Sequence, residues 1–296
     1  MRKKSERNKS MYRKLLSIVA LIIASLWLAA CAGQSAPQST TITFGFTPWT
    51  TTYPGTYIAK ELIEEHYGHQ VKLQDADVGV IYQGLGGGSI DVFMDNWHLL
   101  HADQMASQEG KVEDLGRIYG DAILGWGVPA YVDEGVQSIS DLNQYRQLFD
   151  GKVVGIDPGA GMSRTSEEII SSYGLDYEYV ASSEAAMLTA VDKAFKAQEP
   201  ILFLVYRPHS MFVKYDIRVL EDPKGIWETD EVHVVANVEL KDKAPEVYEM
   251  LKRFEIPIED YEAWIAAQED GANPEDLARQ WIEEHPEEVA QILGRQ

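Results

Sequence analysis

The 296-residue sequence contains a single cysteine, Cys31, and only seven histidines. One cysteine cannot form an intramolecular disulfide, so the folded chain must be stabilised by its hydrophobic core alone. Basic residues are also scarce, with 26 Lys and Arg against 47 Asp and Glu, which gives a formal net charge of −21. A chain this acidic lacks the basic surface that binding to nucleic acid requires. We therefore expect no nucleic-acid partner.

The sequence also has no apolar run of the length that crosses a bilayer. Its longest run, residues 15–30, has about 16 residues, whereas a spanning helix needs roughly 20. Basic residues precede the run, and Ala29 and Ala30 end it directly before Cys31. This order predicts a signal peptide over residues 1–30. A short transmembrane anchor with an incidental cysteine is the alternative.

The end of the apolar run, Leu28 to Cys31, resembles a bacterial lipobox, in which the cysteine becomes the lipidated first residue. Lipidation of Cys31 with more than one acyl chain, such as palmitate, would anchor the protein stably to a membrane. Residues 31–40 are small and polar, which predicts a flexible tether. Without residues 1–30 the chain keeps 19 basic and 46 acidic residues, a charge of −27 that we interpret as a solvated acidic surface.

Apolar strand patterns alternate with helix patterns through most of the chain, which predicts an α/β fold. The predicted strands are residues 41–46, 70–74, 90–94, 122–131, 152–156 and 201–205. The predicted helices between them are residues 57–67, 80–85 and 184–196, and the chain is mostly helical beyond about residue 240. Strands separated by helices predict mostly parallel sheets with helices on both faces.

Four aromatic residues lie where a strand pattern meets a loop that contains Gly or Pro: Trp49, Trp97, Trp126 and Tyr206. In open α/β sheets, ligands bind beyond the carboxyl ends of strands. If the fold brings these rings together, their π faces form a cage for a quaternary ammonium group. Such a group has no N–H to donate, so hydrogen bonds cannot compensate its charge. Any one of them alone is more simply explained as a packing residue, so the prediction depends on the four together.

A glycine-rich turn at residues 155–163 joins a predicted strand to a helix pattern. Free backbone N–H groups at such a helix start favour an anion. The turn lacks the Lys-Ser/Thr pair of a phosphate-binding loop, so a carboxylate is the expected guest.

No combination of residues in the sequence points to catalysis or to a cofactor. Ser210 next to His209 has no nucleophile elbow, and no paired catalytic carboxylates accompany it. His98 and His101 are too few for a metal site without further ligands. We therefore expect no enzyme, cofactor or metal. A signalling or structural lipoprotein remains the alternative to a ligand-binding protein.

Several segments of the sequence resemble the substrate-binding proteins of bacterial compatible-solute ABC importers, the glycine betaine, proline betaine and choline group. They are residues 91–97, 155–161, 206–211, 215–223, 270–276 and 281–285. The likeness covers about residues 41–290. It implies a two-lobed periplasmic-binding-protein-like clamshell of type II, with the ligand in the cleft between the lobes. Residues 41–122 and 227–296 would form one lobe and residues 123–226 the other, each a mostly parallel sheet flanked by helices.

The resemblance also assigns roles to individual residues. Trp97 and Tyr206 match cage positions common to much of the group, whereas Trp49 and Trp126 match those of the choline-binding branch. Backbone N–H groups near Gly161 and Met162 would hold the carboxylate of a ligand such as glycine betaine or proline betaine, with choline, carnitine and proline as alternatives. The implied partners are a membrane permease and its ATPase subunit. The protein itself would lie on the extracytoplasmic side of the cell membrane, held there by its lipid.

Some residues depart from the pattern of the group. Tyr206 stands where most relatives carry Trp, and Thr51 stands where the choline branch has an Asp that meets the ligand. Ser210 and Ala160 each occupy a position that is Trp in one betaine-binding branch. Arg207 is unusual and could add a charge-assisted bond to a carboxylate, although a surface position is the simpler expectation. These departures leave the identity of the ligand open.

Overall fold

The structure, a computed structural model, describes residues 39–295. The predicted signal peptide, the lipidated Cys31 and most of the tether lie outside the described residues. Within residues 39–295, every helix is too short or too polar to cross a membrane.

The strands form two five-stranded sheets. The first sheet contains β1 (Thr41–Phe46), β2 (Gln70–Asp75), β3 (Val92–Trp97), β4 (Val112–Ala122) and β10 (Asp230–Asn237), in the order β2-β1-β3-β10-β4. The second sheet contains β5 (Leu124–Pro129), β6 (Lys152–Val154), β7 (Glu178–Val180), β8 (Phe203–Tyr206) and β9 (Ile217–Val219), in the order β7-β6-β8-β5-β9. The chain therefore passes between the sheets twice, after β4 and after β9.

Helices connect the strands and form the end of the chain. They are α1 (Thr52–Tyr67), α2 (Val78–Gly87), α3 (Ala102–Ser107), a 3₁₀ segment (Ile139–Phe149), α4 (Gly161–Tyr173), α5 (Glu184–Ala197), α6 (Met211–Lys214), α7 (Leu240–Lys243), α8 (Pro245–Leu251), α9 (Ile258–Glu269), α10 (Pro274–Glu284) and α11 (Pro286–Ile292). The last four carry Pro or acidic residues in their first turns, as a favourable helix start requires.

Each sheet is mixed rather than mostly parallel. β1 pairs in parallel with β2 and β3, and β6 does so with β7 and β8. β10 runs antiparallel to β3 and β4, and β5 runs antiparallel to β8 and β9. β5 and β10 are each the first strand after the chain crosses from the other sheet. Each begins at the carboxyl ends of the parallel strands of its sheet and therefore runs in the opposite direction.

The strand positions agree with the expected lobes, although the boundaries themselves stay a prediction. All strands of the first sheet lie within residues 41–122 and 227–296, and all strands of the second lie within 123–226. The strands predicted near residues 41, 70, 90, 122, 152 and 201 are confirmed with ends shifted by a few residues. β7 and β9, of three residues each, were not predicted. β4 and β10 were not predicted either, because register shifts between them break the two-residue alternation that marks a strand.

An ion pair between the buried Asp91 and the exposed Lys243 fixes the start of β3, the most enclosed strand of the first sheet. All six residues of β3 are buried. Directly before it, the Asp91 carboxylate accepts the Thr43 N–H at 2.7 Å and the Lys243 ammonium at 2.7 and 2.8 Å. Asp91 thereby connects β1, β3 and helix α7. Removing it leaves two donors without an acceptor.

We expect Asp91→Ala to lower the free energy of unfolding by about 2 kcal/mol, because a buried N–H and a charged amine lose their partner. Urea unfolding followed by circular dichroism measures this. Lys196→Ala is the matched control, since it removes an exposed pair with Asp192 and should leave the midpoint unchanged. Equal midpoints for Asp91→Ala and the wild type would contradict the assignment.

Candidate functional site

A small, mostly apolar cavity lies at the carboxyl ends of β1, β3 and β8 and at the start of helix α4. Five of the six predicted ligand-binding residues line it: Trp49, Trp97, Gly161, Met162 and Tyr206. Trp49 follows β1 and Trp97 ends β3, both in the first sheet, and the other three belong to the part of the chain that forms the second. The wall of the cavity is therefore assembled from both sheets.

Trp126, the sixth predicted residue, does not line the cavity. It is fully buried in the middle of β5, where it pairs with Leu204, and its indole N–H donates to Ser166 Oγ of helix α4 at 3.0 Å. Its ring therefore packs beneath the helix. The sequence context of Trp126 resembles that of the cage residues, but the strand continues past it to Pro129.

Each of the three aromatic rings in the cavity wall donates its polar hydrogen to a carboxylate. Trp97 Nε1 donates to Asp95 Oδ1 at 3.0 Å, Trp49 Nε1 donates to Asp157 Oδ2 at 3.1 Å, and the Tyr206 hydroxyl donates to Glu184 Oε1. The rings of Trp97 and Tyr206 meet edge to face, with centroids 6.3 Å apart. Because each ring is fixed by its polar atom, the surface it gives to the cavity is carbon.

Asp95 is a fully buried carboxylate directly behind the Trp97 ring. Besides Trp97, the hydroxyls of Thr51 and Thr52 at the start of helix α1 donate to its Oδ2, at 3.0 and 2.7 Å. Burial raises the pKa of Asp95 to about 6, the three hydrogen bonds oppose that rise, and the Glu184 charge adds to it. No cation contributes to this balance. Near neutral pH the wall of the cavity therefore holds an anion without a positive partner.

Glu184, the first residue of helix α5, accepts hydrogen bonds from residues of both sheets. The Thr50 N–H and hydroxyl donate to it at 2.9 and 3.0 Å, and Tyr206 donates from the second sheet. His209 Nε2 approaches the same carboxylate at 3.5 Å, while its Nδ1 accepts the Met211 N–H. Glu184 is 4% exposed. It therefore links the loop after β1 to the end of β8 across the cleft.

The glycine-rich turn forms the predicted helix start. Ala160 has an extended backbone and helix α4 begins at Gly161, so the N–H groups of Gly161 and Met162 have no carbonyl of a preceding turn to bond to. Gly161 also contacts the opposite wall closely, because a Cβ there would lie 2.8 Å from Leu100 Cβ and 3.2 Å from Leu100 O. Two free donors, on Gly161 and Met162, thus lie where the turn approaches the opposite wall closely at Gly161.

His101 lines the cavity, but nothing in the sequence distinguished it. It lies in the loop between β3 and helix α3, is 1% exposed, and contacts the rings of Tyr82 and Phe93. Burial, together with the Arg164 charge, lowers the pKa of His101 to about 3. The imidazole is therefore neutral and brings no positive charge into the cavity. Among residues 39–295, the cavity lining contains no Lys or Arg either.

Of the residues other than Tyr206 that differ from the pattern of the compatible-solute binding proteins, two line the cavity and two lie outside it. Thr51 lines the cavity and bonds to Asp95, and Ala160 lines it without reaching across. Arg207 does not enter the cavity; its guanidinium binds both oxygens of Glu262 on helix α9. Ser210 donates to Glu269 at the end of the same helix. The last two therefore join the end of β8 to helix α9.

A family model described as the substrate binding domain of an ABC-type glycine betaine transport system matches residues 40–284. This match covers more than half of the chain. The chain belongs to this family. Membership confirms the resemblance inferred from the sequence, and it identifies a solute-binding component of a transporter.

Two further comparisons agree in sequence and in structure. The glycine betaine/carnitine transport binding protein GbuC of Listeria monocytogenes serotype 1/2a (strain 10403S) is 34% identical over 142 residues, which span 47% of this chain and 47% of that relative. The chain thus matches about half the length of this curated relative. The lactococcal OpuAC in its closed-liganded conformation with glycine betaine superposes with a TM-score of 0.81 at 30% identity, over 86% of this chain and 100% of that one.

An ABC-transporter choline binding protein in complex with choline is also similar, with a TM-score of 0.80 at 25% identity over 86% of this chain and 91% of the other. These likenesses, together with the two mixed sheets, confirm the predicted α/β clamshell of the type II periplasmic-binding-protein kind.

The raised pKa of Asp95 predicts how stability depends on pH. Between its unfolded pKa of 3.8 and its folded pKa of about 6, the native state holds a proton that the unfolded state has lost, so stability falls as pH rises through this range. Asp95→Asn keeps the shape without the charge. We expect this variant to be more stable than the wild type by about 2–3 kcal/mol above pH 6, with no difference below about pH 4. Urea unfolding at pH 4 and pH 7 measures this, and a difference independent of pH would contradict the assignment.

Proposed function

We propose that the protein captures a small quaternary-ammonium solute of the glycine betaine type and delivers it to an ABC importer. One observation carries this proposal: an aromatic cavity next to the buried Asp95 carboxylate, which has no cationic partner among residues 39–295. A permanent cation with methyl groups fits such a wall because it cannot donate hydrogen bonds and is cheap to desolvate compared with an ammonium.

The cationic head of the solute would contact the rings of Trp49, Trp97 and Tyr206. Each cation–π contact contributes about 0.5–2 kcal/mol, and the value rises when water is excluded. Asp95 adds a longer-range attraction through the Trp97 ring, and its hydrogen bond to Nε1 increases the electron density of that ring. Neutral His101 and the absence of Lys or Arg in the described lining leave this attraction unopposed.

The carboxylate of the solute would accept the N–H groups of Gly161 and Met162 at the start of helix α4. These donors have no backbone partner, and the helix N-terminus favours a negative charge. Choline, which has a hydroxyl instead, would leave at least one of them without an anionic acceptor. The two N–H donors therefore favour a betaine over choline. Carnitine and proline, which also carry a carboxylate, are alternatives for the same two subsites.

Binding would be coupled to closure of the cleft. The bonds from Trp49 to Asp157 and from Thr50 to Glu184, and the Arg207–Glu262 pair, all join residues of one predicted lobe to residues of the other. A ligand that contacts both walls stabilises the form in which these bonds exist. The loaded, closed form would then dock on a permease driven by an ATPase partner, outside the cytoplasm, with lipidated Cys31 as the anchor.

Trp97→Ala should weaken glycine betaine binding at least about 30-fold, because one ring of about 2 kcal/mol is lost and the Asp95 hydrogen bond with it. Isothermal titration calorimetry measures the change. Trp126→Phe is the control, since Trp126 lies outside the cavity and its substitution should change the affinity less than threefold. Wild-type affinity in Trp97→Ala would contradict the claim that the Trp97 ring contacts the ligand. A large loss in Trp126→Phe would contradict the claim that Trp126 lies outside the ligand site.

Gly161→Ala should weaken binding at least tenfold while leaving thermal stability without ligand nearly unchanged. The added methyl would meet Leu100 only when the two walls approach, so it opposes closure rather than folding. Gly159→Ala, in the same turn, meets no atom within 4 Å and serves as the matched control. The proposal fails if both variants bind glycine betaine as tightly as the wild type.

A further inference from the structure

Three neighbouring strands of the first sheet bring two histidines and an aspartate together outside the cavity. His98 directly follows β3, His233 lies on β10, and Asp114 lies on β4. Their nitrogen and oxygen atoms lie within 4.8 Å of one another. None of the three lines the cavity, and no role in ligand binding follows for them from the family or from the proposal above.

The three groups converge on one oxygen. His233 Nδ1 lies 2.8 Å from Asp114 Oδ2, and His98 Nδ1 lies 3.4 Å from the same atom. The two imidazole rings stack at 4.7 Å with an angle of 28° between them. A tetrahedral ion with bonds of about 2.0–2.2 Å separates its ligand atoms by roughly 3.4 Å, so the two separations from Asp114 Oδ2 need to change by about half an ångström or less, and the separation between the two histidine nitrogens by at most about 1.5 Å.

The surroundings orient these groups in the way that metal ligands are oriented. His233 Nε2 faces Glu231 Oε2 at 3.3 Å, so a carboxylate orients the ring from its far side, and an ion at Nδ1 would replace the proton that this nitrogen shares with Asp114. Asp114 Oδ1 accepts the Gly116 N–H at 2.9 Å, which directs Oδ2 toward the histidines. Gly116 has a φ of +129° within the irregular pairing of β4 with β10, and a bulge of this kind re-aims the side chains beside it.

An ordinary ion pair between His233 and Asp114 explains only part of this arrangement. It does not account for His98, whose Nδ1 faces the same carboxylate oxygen although half of its side chain is exposed and free to turn outward. His98 N–H also donates to the Glu231 carbonyl at 2.9 Å, which fixes its backbone beside β10. Arg117 pairs with Glu231 Oε1 and with Glu255, whereas the other oxygen of Glu231 faces His233.

We propose that His98, Asp114 and His233 form a binding site for a divalent late transition metal of the zinc type. Two imidazoles and one carboxylate are a donor set that suits Zn²⁺, Cu²⁺ or Ni²⁺, whereas Mg²⁺ and Ca²⁺ select oxygen ligands. Three protein ligands leave further positions for water. The exposure of His98 gives an ion from solution direct access, and Glu231 acts as a positioning residue through His233.

Zinc titration by calorimetry on the purified untagged protein at pH 7.5 tests the site, with Co²⁺ absorption in the visible as a second readout of ligand geometry. We expect one Zn²⁺ per chain. Affinity should fall at least tenfold in His98→Ala and in Asp114→Asn, and by about tenfold in Glu231→Gln, which keeps all three ligands and removes the carboxylate that orients His233 and pairs with Arg117. His98→Ala removes a half-exposed side chain, so folding is not at risk, and circular dichroism confirms it.

His66→Ala is the matched control, because it removes one partly exposed imidazole from helix α1 far along the chain from the cluster. It should bind Zn²⁺ like the wild type. The inference is overturned if the wild type shows no saturable binding, or if His98→Ala and Asp114→Asn retain wild-type affinity, as adventitious binding to surface carboxylates would give. The assay contains no betaine, so its outcome is independent of the proposed solute.

Discussion

The Asp95 carboxylate is buried without a cation, and the arrangement of the cavity depends on it. Three hydrogen bonds hold it: one from the Trp97 indole and two from the hydroxyls of Thr51 and Thr52. The same bonds set the orientation of a cage ring and the start of helix α1. Burial nevertheless raises the pKa of Asp95 to about 6, which means that the folded chain keeps this charge at a cost. A cationic solute would offset that cost. The unfavourable burial of the Asp95 charge would therefore favour cationic over neutral solutes.

The second organising feature is that the cavity belongs to neither sheet alone. Trp49 follows β1 and Trp97 ends β3, both in the first sheet, whereas Tyr206 and the Gly161 turn come from the second. Glu184 receives donors from both sides, so the hydrogen bonds that join the sheets are also those that fix the rings. Because no single lobe contains a complete site, a solute that satisfies both walls stabilises the form in which they meet.

Much of the site was predictable from the sequence, because strand ends and glycine-rich turns are local signals. Trp49, Trp97, Tyr206, Gly161 and Met162 follow such signals, and the structure brings all five to one cavity. Trp126 has the same kind of local context but packs in the core beneath helix α4, since the length of its strand decides where its ring lies. His101 and Asp95 contribute through burial, which a local pattern does not reveal.

In the fold, too, elements marked by a local sequence pattern could be predicted, whereas those that depend on long-range pairing could not. Helix α5, capped by Ser183, and most strands of the parallel part of each sheet are local patterns. β10 pairs with strands more than a hundred residues earlier, and its bulged register hides its alternation. For the same reason the proximity of His98 to His233 could not be predicted from the sequence. What could not be predicted is therefore the set of contacts made when the chain returns to the first sheet.

The proposed site recognises a positive charge by aromatic rings, one of which donates a hydrogen bond to the buried Asp95 carboxylate. Calorimetry with glycine betaine and with 3,3-dimethylbutyrate tests this directly, because the second molecule has the same shape and carboxylate but a neutral carbon in place of the nitrogen. We expect glycine betaine to bind at least about 100-fold more tightly, from cation–π contacts with three rings and the attraction to Asp95. Comparable affinities for the two molecules would contradict the account and would leave shape and apolar contact as the basis of binding.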